Sequence, residues 1–469
     1  MEISAGVVDT RIAGGTRVSD ADGGLGWARA VVAPMVAAVA AFAAVGQGAF
    51  YWPRAGVVAA TLTALVILTG FAPLRRATPA LFAFGALAIG LLVSAAANGA
   101  LDSTWPAAAT LTTAAAGFVV GRALVVRGER HLLLQIMAGV GAMVGVTGLV
   151  GLAFHIEPWG LWATELWRAS TTLTYANAGA ALLVLCLPAA LLLGDRTRTW
   201  VTRLTTFAIL TSLVATLSRG GALALVVSAA CIAVLGAPRL MAGARWPAVG
   251  AGVAFASFIP SIVGDAPVPL VALAGLIVGS SVALVGVRER AGMRRWIALA
   301  LAVTAVWALA GWAGRPVTHQ SSPGASQGIA RLTASRVSAA EPRFEQWSAA
   351  LSIGVSHPIV GVGPGRFSMR SSRFAHNEYL QSFAETGFVG LGTIAFALVV
   401  LGAWVWRSRP KRNRLRERAI WVSAVGASAA FLAHSSVDFL WRFPILVLLV
   451  VLWLSVAVTR PPVFEGGEL

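Results

Sequence analysis

Long apolar runs are the feature that most constrains how this chain folds. Stretches of about 17 or more apolar residues recur along nearly the whole sequence, and each is long enough to cross a hydrocarbon core of about 30 Å. Charged residues make up only 12% of the chain, about half the fraction of a soluble domain. The pattern predicts an all-α, polytopic transmembrane helical bundle of about 12–14 spans, since barrel strands show only short alternation.

The apolar segments define the predicted organisation of the chain. Fourteen candidate spans lie near 28–50, 55–72, 79–97, 105–126, 132–154, 175–193, 200–217, 221–237, 246–264, 268–287, 296–313, 380–406, 419–437 and 443–459. The predicted regions are a flexible cytoplasmic tail (1–27), an N-terminal bundle of about 11 spans (28–313), an extracytoplasmic loop (314–377), a three-span segment (378–459) and a short cytoplasmic tail (460–469).

The arginines predict the orientation of the bundle. With the N-terminus inside, most of the 36 Lys and Arg lie in the tails and inner loops, including the run RSRPKRNRLRER, and the short outer loops hold few. Positively charged residues flank membrane helices on the cytoplasmic side. Both termini are therefore predicted to be cytoplasmic, and this asymmetry explains the net charge of +17 without a nucleic-acid partner.

The outer loop is cationic, which topology does not explain. It carries seven arginines, among them Arg343 and Arg366, against two glutamates. The segment SAAEPRFEQWSAALSIG predicts a short amphipathic helix, and HPIVGVGPGRF predicts a tight turn whose backbone can approach a ligand. One further arginine, Arg219, lies in an outer turn within TLSRGGALALV. An anionic ligand such as a phosphate or diphosphate is the partner that this charge predicts.

Polar residues also lie at the predicted outer end of the first helix of the three-span segment, in HNEYLQSFAETGFVGL. Glu378, Gln381 and Glu385 recur at helical spacing, so they share one face, which is predicted to point into the protein. His434 and Asp438 lie one turn apart near another outer helix end and are candidate acceptor-site residues.

Two of these motifs together resemble the signature region of the O-antigen ligase and O-antigen polymerase superfamily. The first is RFEQWSAALSIGVSHPIVGVGPGRF and the second is HNEYLQSFAETGFVGL, with AHSSVDF similar to the late outer turn of that family. The signature region extends over about 343–440, and Ser-Arg-Gly at 218–220 also fits.

The resemblance implies a membrane glycosyltransferase of the bacterial cytoplasmic membrane. Members pass a glycan from an undecaprenyl-diphosphate carrier to a hydroxyl on a saccharide or a lipid-anchored core, outside the cytoplasm, in surface polysaccharide or lipopolysaccharide assembly. No cofactor and no metal is expected. Other polysaccharide assembly proteins are a further predicted class of partner.

The same chemistry suggests roles for individual residues. Attack by a hydroxyl needs a base, for which His376 is the candidate. Arg219, Arg343 and Arg366 are candidate diphosphate ligands. Asn377 is a candidate for binding a sugar hydroxyl or orienting the histidine, Glu378 for orienting it or a cation, and Glu385 for pairing with an arginine.

Ligase and polymerase share the signature, so the sequence leaves both open. The alternatives are a transporter or flippase for the lipid-linked glycan and a protein-directed oligosaccharyltransferase. A transporter is expected to show inverted repeats and broken, polar mid-membrane helices.

Overall fold

The computed structural model describes residues 26–69, 77–163, 165–195, 199–285, 341–371 and 374–459. The predicted span 296–313, the first part of the outer loop, most of the N-terminal tail and the tail 460–469 lie outside these residues. In the described residues, each of the other thirteen apolar segments predicted from the sequence overlaps a helix.

Helices dominate the described part of the chain. In chain order they are α1 (Gly26–Val45), α2 (Trp52–Thr69), α3 (Thr78–Ala97), α4 (Trp105–Val126), α5 (Arg130–Phe154), α6 (Ala176–Leu192), α7 (Thr199–Ala215), α8 (Arg219–Val234), α9 (Pro238–Gly243), α10 (Arg245–Val263), α11 (Pro269–Ala283), α12 (Glu341–Ser356), α13 (Arg366–Ser371), α14 (Glu378–Arg407), α15 (Leu415–Ser435) and α16 (Pro444–Val458). A two-stranded antiparallel hairpin, β1 (Gly160–Ala163) and β2 (Leu166–Ala169), lies between α5 and α6 and pairs Gly160 with Ala169.

The lengths of these helices suit a membrane. Among the described residues, six helices are long and apolar enough to cross one, namely α2, α3, α4, α5, α10 and α14, and six apolar helices are shorter. A helix satisfies its backbone hydrogen bonds internally, as a span in lipid must. The predicted fold class, a polytopic helical bundle, is confirmed, whereas the number of crossings stays a prediction.

Two central helices position the site. Nearly every side chain of α6 and α16 is buried. They contact each other, α16 also packs on α4, and α15 packs on α8. The indole N–H of Trp453 on α16 donates to the carbonyl of Leu185 on α6 at 2.9 Å, which holds the pair together inside the bundle. The start of α6 and the turn before α16 therefore meet at one end of the bundle, called here the site end.

The long helix α14 is broken at Gly387. This residue has φ 60° and ψ −158°, a conformation that is essentially restricted to glycine. The turn 357–365 fills the break: Val362 N–H donates to the carbonyl of Ala384 at 3.0 Å, and Phe388 N–H donates to that of Pro358 at 2.7 Å. The structure shows the backbone of the glycine-rich turn in close contact with the broken helix, and its predicted approach to a ligand stays a prediction.

Two arginines that were predicted to be cytoplasmic, Arg130 and Arg418, lie at the opposite end of the bundle. Arg130 forms an ion pair with Glu417 at 2.7 Å, and Arg122, which falls within a predicted span, donates to the hydroxyl of Thr459 at 3.1 Å. Arg418 donates to the carbonyl of Leu235 at 2.6 Å. The two ends of the bundle therefore separate the predicted site residues from this group of arginines.

Candidate active site

His376 and Asp438 form the centre of the site end. Nδ1 of His376 lies 3.2 Å from Oδ1 of Asp438, whose side chain is 1% exposed while that of the histidine is 24% exposed. The Asn377 side chain caps α14 by accepting from Tyr379 N–H and Leu380 N–H, both at 3.1 Å. The cap starts the helix directly after His376, which has φ 49°. His376 is thus held directly before the N-terminal cap of α14, with one ring nitrogen within hydrogen-bond distance of a buried carboxylate.

Four donors converge on the carboxylate of Asp438. Besides His376, they are the Tyr175 hydroxyl at 2.8 Å to both oxygens, Asn177 Nδ2 at 2.6 Å and the backbone N–H of Phe439 at 2.9 Å. Burial alone raises the pKa of Asp438, but the hydrogen bond and charge of His376, with the nearby His434 and Tyr175, hold it below its ordinary value. The group is therefore an anion that faces a histidine.

Tyr175 directly precedes α6 and Asn177 lies in its first turn, both within the segment TTLTYAN, and sequence reasoning missed both. Arg168 on β2 supports them, since its Nη2 lies 3.3 Å from Asn177 Oδ1 and its Nε donates to the carbonyl of Thr216 at 2.8 Å. The sequence pattern that could have identified these two residues is a tyrosine and an asparagine at the predicted outer end of an apolar span.

Arg219 begins α8, and its neighbours explain the Ser-Arg-Gly motif. The Ser218 hydroxyl caps the helix by accepting from Gly221 N–H at 3.0 Å. Gly220 lies against the imidazole of His434, where a Cβ would overlap the ring. The side chain of Arg219 is exposed at this same end. The structure therefore places Arg219 beside the segment that carries His434 and Asp438. The sequence predicts all three residues at outer helix ends, and they lie at the same end of the bundle.

Helix α12 brings Arg343 to the same place. Arg343 Nη1 donates to the carbonyl of Val437 at 3.2 Å, one residue before Asp438. The indole of Trp347 lies 3.4 Å from the carbonyl oxygen of His376. Arg343 thus lies with His376 at the site end instead of forming only contacts within its own helix.

Arg366 is held elsewhere. Its Nη1 and Nη2 donate to the carbonyls of Asn98 and Gly99, each at 2.6 Å, and Nη2 lies 3.9 Å from the exposed Asp102. These contacts hold the turn between α3 and α4 against the glycine-rich turn. The structure does not group Arg366 with Arg219 and Arg343, so its role as a diphosphate ligand stays a prediction with a competing structural role.

The predicted acidic stripe lies on one buried face of α14. Glu385 pairs with Arg442 at 2.7 Å and accepts from Gln381 Nε2 at 3.0 Å. Glu378 accepts from the backbone N–H of Trp441 at 3.2 Å. Glu385 does pair with an arginine, but sequence reasoning missed which one, because Arg442 follows the last outer turn 57 residues further along.

His434 is completely buried, and neither of its ring nitrogens has a hydrogen-bond partner. It was expected to be an acceptor-site residue, as was Asp438. The structure buries His434 completely and packs its ring against Gly220. An acceptor role therefore stays an untested prediction for both residues, and Asp438 has a clear position as the partner of His376.

A comparison with protein families bears on the functional classes that the sequence leaves open. Residues 270–395 match the O-antigen ligase family. The superfamily resemblance seen in the sequence is thereby confirmed over this stretch, which includes Arg343, His376 and Glu385. A search of curated proteins finds no match to the chain.

The O-antigen ligase segment does not contain the whole site end. Tyr175, Arg219, His434 and Asp438 lie outside the matched residues, and the fold brings them to His376 or to one another. The family match and the apolar helices support a multi-pass membrane protein and, in a broad sense, an enzyme of the glycosyltransferase type.

Proposed function

We propose that this protein transfers a glycan from an undecaprenyl-diphosphate carrier to a hydroxyl of a saccharide or lipid-anchored acceptor, as an O-antigen ligase or surface polysaccharide polymerase. The observation that carries the proposal is the His376–Asp438 pair, 3.2 Å apart, at the same end of the bundle as Arg219 and Arg343. A base beside cations suits a reaction in which a hydroxyl loses a proton and a diphosphate departs.

His376 acts as the general base in this proposal. Its Nδ1 faces Asp438, so the Nδ1–H tautomer leaves Nε2 as the basic nitrogen. The buried carboxylate orients the ring and stabilises the imidazolium once the proton arrives. The Tyr175 hydroxyl and the Asn177 amide also donate to the carboxylate and hold it in place.

The transfer step balances without a further reactant. The acceptor oxygen attacks the anomeric carbon as His376 Nε2 takes its proton, a new C–O bond forms, and the bond from that carbon to the diphosphate oxygen breaks. The electron pair leaves with the lipid diphosphate. Arg219 and Arg343 stabilise the charge that develops there, since a guanidinium fork matches phosphate oxygens.

The site end is proposed to face the outside of the bacterial cytoplasmic membrane, with both termini in the cytoplasm. This orientation is supported by the arginines at the opposite end, among them Arg130 and Arg418, because positive residues accumulate on the cytoplasmic side. On the outer side no nucleotide sugar is present, so the lipid diphosphate supplies the leaving group.

The test uses the full chain in liposomes with purified polyprenyl-diphosphate-linked glycan and a saccharide acceptor. Release of the lipid diphosphate and extension of the acceptor are measured together. His376→Ala and Arg219→Ala are expected to abolish both at unchanged protein level. The matched controls are His357→Ala and Arg239→Ala, which change exposed residues away from Asp438 and are expected to leave transfer intact.

Persistence of transfer in both variants would show that the residue assignment is wrong. Movement of the lipid-linked glycan across the bilayer without transfer would favour a transporter. The glycan profile of a deletion strain then separates the two enzyme types. Loss of chain length with single units still attached indicates a polymerase, and accumulation of intact lipid-linked chains indicates a ligase.

A further inference from the structure

The hairpin β1–β2 carries Arg168, whose backbone is held in place by its neighbours on β2. Leu166 and Ala169 are buried against α5, α7 and α10. Trp167 stacks on the imidazole of His155 at the end of α5, with ring centroids 4.0 Å apart. The half-buried side chain of Arg168 therefore starts from a defined position next to the site end.

The guanidinium of Arg168 contacts two segments that each hold one half of the site. Its Nε donates to the carbonyl of Thr216 at 2.8 Å, three residues before Arg219. Its Nη2 lies 3.3 Å from Oδ1 of Asn177, whose Nδ2 donates to Asp438 at 2.6 Å. One side chain thus connects the turn before a proposed diphosphate ligand with the carboxylate that faces the proposed base.

The turn before α8 has an uncommon backbone conformation. Thr216 is completely buried, one residue past the end of α7. Leu217 has φ 50°, which is rare for a residue with a side chain, and Ser218 N–H lies 3.3 Å from the hydroxyl oxygen of Thr216. A buried carbonyl needs a hydrogen-bond donor. Arg168 supplies one to Thr216 and so supports the turn from which Arg219 starts.

The hydrogen bonds that lead from Arg168 to the base run in one direction. A guanidinium only donates and an ionised carboxylate only accepts. The amide of Asn177 lies between them, so it must turn Oδ1 to Arg168 and Nδ2 to Asp438. Nδ2 also donates to the Tyr175 hydroxyl at 3.1 Å, and the phenol O–H in turn donates to Asp438 at 2.8 Å. A carboxylate that accepts all these bonds also favours the Nδ1–H tautomer of His376, with Nε2 as the basic nitrogen.

We propose that Arg168 is a positioning residue that sets both halves of the site at once. Through Asn177 it fixes the direction of the hydrogen bonds to Asp438, and through the carbonyl of Thr216 it places Arg219. It acts through these residues and not on the donor or the acceptor. The inference rests on the proposed function, since it needs a base beside Asp438 and a diphosphate at Arg219.

Two substitutions of Arg168 separate its contacts. Arg168→Met keeps the length of the side chain and removes both donors. In Arg168→Gln the amide nitrogen takes the place of Nε, so the hydrogen bond to Thr216 is kept and the one to Asn177 is lost. Initial rates of transfer are measured with the full chain in liposomes, over a range of concentrations of the polyprenyl-diphosphate-linked glycan.

The two variants are expected to differ in the KM for the donor. Arg168→Met should lower kcat about 10–100-fold and raise this KM at least about fivefold, because both halves of the site lose their support. Arg168→Gln should lower kcat by a similar factor and leave the KM unchanged, since the turn before Arg219 keeps its hydrogen bond. A loss of protein stability alone does not produce this split.

Asn177→Leu interrupts the link to the carboxylate from the other side. It is expected to resemble Arg168→Gln, with a lower kcat and an unchanged KM for the donor. The double variant Arg168→Gln with Asn177→Leu should be no slower than Asn177→Leu alone, because the two residues act in one chain of hydrogen bonds. If the two losses in kcat multiplied, the residues would act independently and the proposed chain would be wrong.

Arg418→Met is the matched control. The guanidinium of Arg418 also donates to a carbonyl beside a helix end, that of Leu235, through Nε at 3.1 Å and Nη2 at 2.6 Å, but at the opposite end of the bundle. It is expected to keep the wild-type kcat and KM. Thermal unfolding in one detergent compares the stability of the variants, and Arg168→Gln and Asn177→Leu carry the test if Arg168→Met does not fold. Folded Arg168 variants with the same constants as Arg418→Met would overturn the proposal.

The wild type and His376→Ala, assayed in parallel, separate this inference from the proposed function. If the wild type does not transfer glycan, or if His376→Ala still does, the proposed function or its residue assignment fails, and this inference fails with it. If the wild type transfers, His376→Ala is inactive and Arg168→Met keeps both wild-type constants, this inference alone is wrong. A higher KM without a lower kcat in Arg168→Met would contradict the link to the base and therefore the joint role.

Discussion

Gly220 packs directly against the imidazole of His434, and a Cβ at this position would overlap the ring. The contact joins the start of α8 to the end of α15 and so fixes Arg219 relative to the segment that carries Asp438. Because His434 is completely buried, the ring has no open space on the solvent side into which it can move.

Gly220→Ala is therefore expected to displace His434 and to reduce glycan transfer at least about tenfold, with a loss of stability of about 1–3 kcal/mol from overpacking. Transfer by reconstituted protein and thermal unfolding in detergent measure the two effects. Gly252→Ala on α10 is the control, because a Cβ there meets nothing within 4 Å. Equal behaviour of the two variants would contradict the tight contact.

Asp438→Asn keeps the shape of the side chain and removes its charge. If the carboxylate orients His376 and stabilises the imidazolium, the maximal transfer rate should fall by about 10²–10⁴-fold with little change in the KM for the donor. Initial rates over a range of donor concentrations measure this split. A change confined to KM would assign Asp438 to donor binding instead.

The same substitution has a signature in the pH dependence of stability. The pKa of Asp438 in the folded protein lies below its ordinary value, about 3.9 in an unfolded chain. Its contribution to stability is therefore present above that pH and is lost as the pH falls through the lower, folded value. The free energy of unfolding should fall more steeply in acid for the wild type than for Asp438→Asn. If the two free energies fell in parallel with pH, Asp438 would not be the source of this pH-dependent stability.

The structure also shows how far the sequence predicts this fold and site. Helices follow from the apolar runs, because a chain in lipid must close its backbone hydrogen bonds locally. The buried face with Glu378 and Glu385 follows from their helical spacing alone. Both are local properties of a single segment, so one sequence carries them.

Features that depend on distant contacts were not predictable in the same way. Tyr175 is 263 residues from Asp438, and nothing in either segment specifies the other. The break in α14 was missed because the apolar run continues through Gly387, whose conformation is stabilised by the turn 357–365. Arg366 was assigned to an anion by its charge, although carbonyls of the α3–α4 turn accept its hydrogen bonds.

Tyr175→Phe removes one donor to Asp438 and one neighbour of His376. A hydrogen bond to a charged acceptor contributes about 1.5–3 kcal/mol, so a decrease in transfer of about 10–100-fold is expected. Tyr51→Phe is a matched control, because Tyr51 is 56% exposed. If the two variants transfer glycan equally fast, the Tyr175 hydroxyl does not support the base.

Gly387→Ala tests the broken helix. The conformation at φ 60° and ψ −158° is strained for any residue with a Cβ, and a Cβ would also approach the carbonyl of Ile359. The expected loss of stability is about 1–3 kcal/mol or more. Gly392→Ala on the same helix is the control, since a Cβ there meets nothing within 4 Å. Thermal unfolding of both in one detergent decides whether the break is required.

The Glu385–Arg442 pair, in which the Glu385 side chain is 9% and the Arg442 side chain 19% exposed, gives the last prediction. Removing one partner leaves an unpaired charge, so Arg442→Gln is expected to destabilise the fold by up to about 3–5 kcal/mol, the range for a fully buried pair. Glu385 still accepts from Gln381 and from the backbone N–H of Gly365. The double variant Glu385→Gln with Arg442→Gln removes both charges, and it should therefore be more stable than Arg442→Gln alone. Additive losses in a double-mutant cycle of unfolding free energies would show that the two side chains are not coupled.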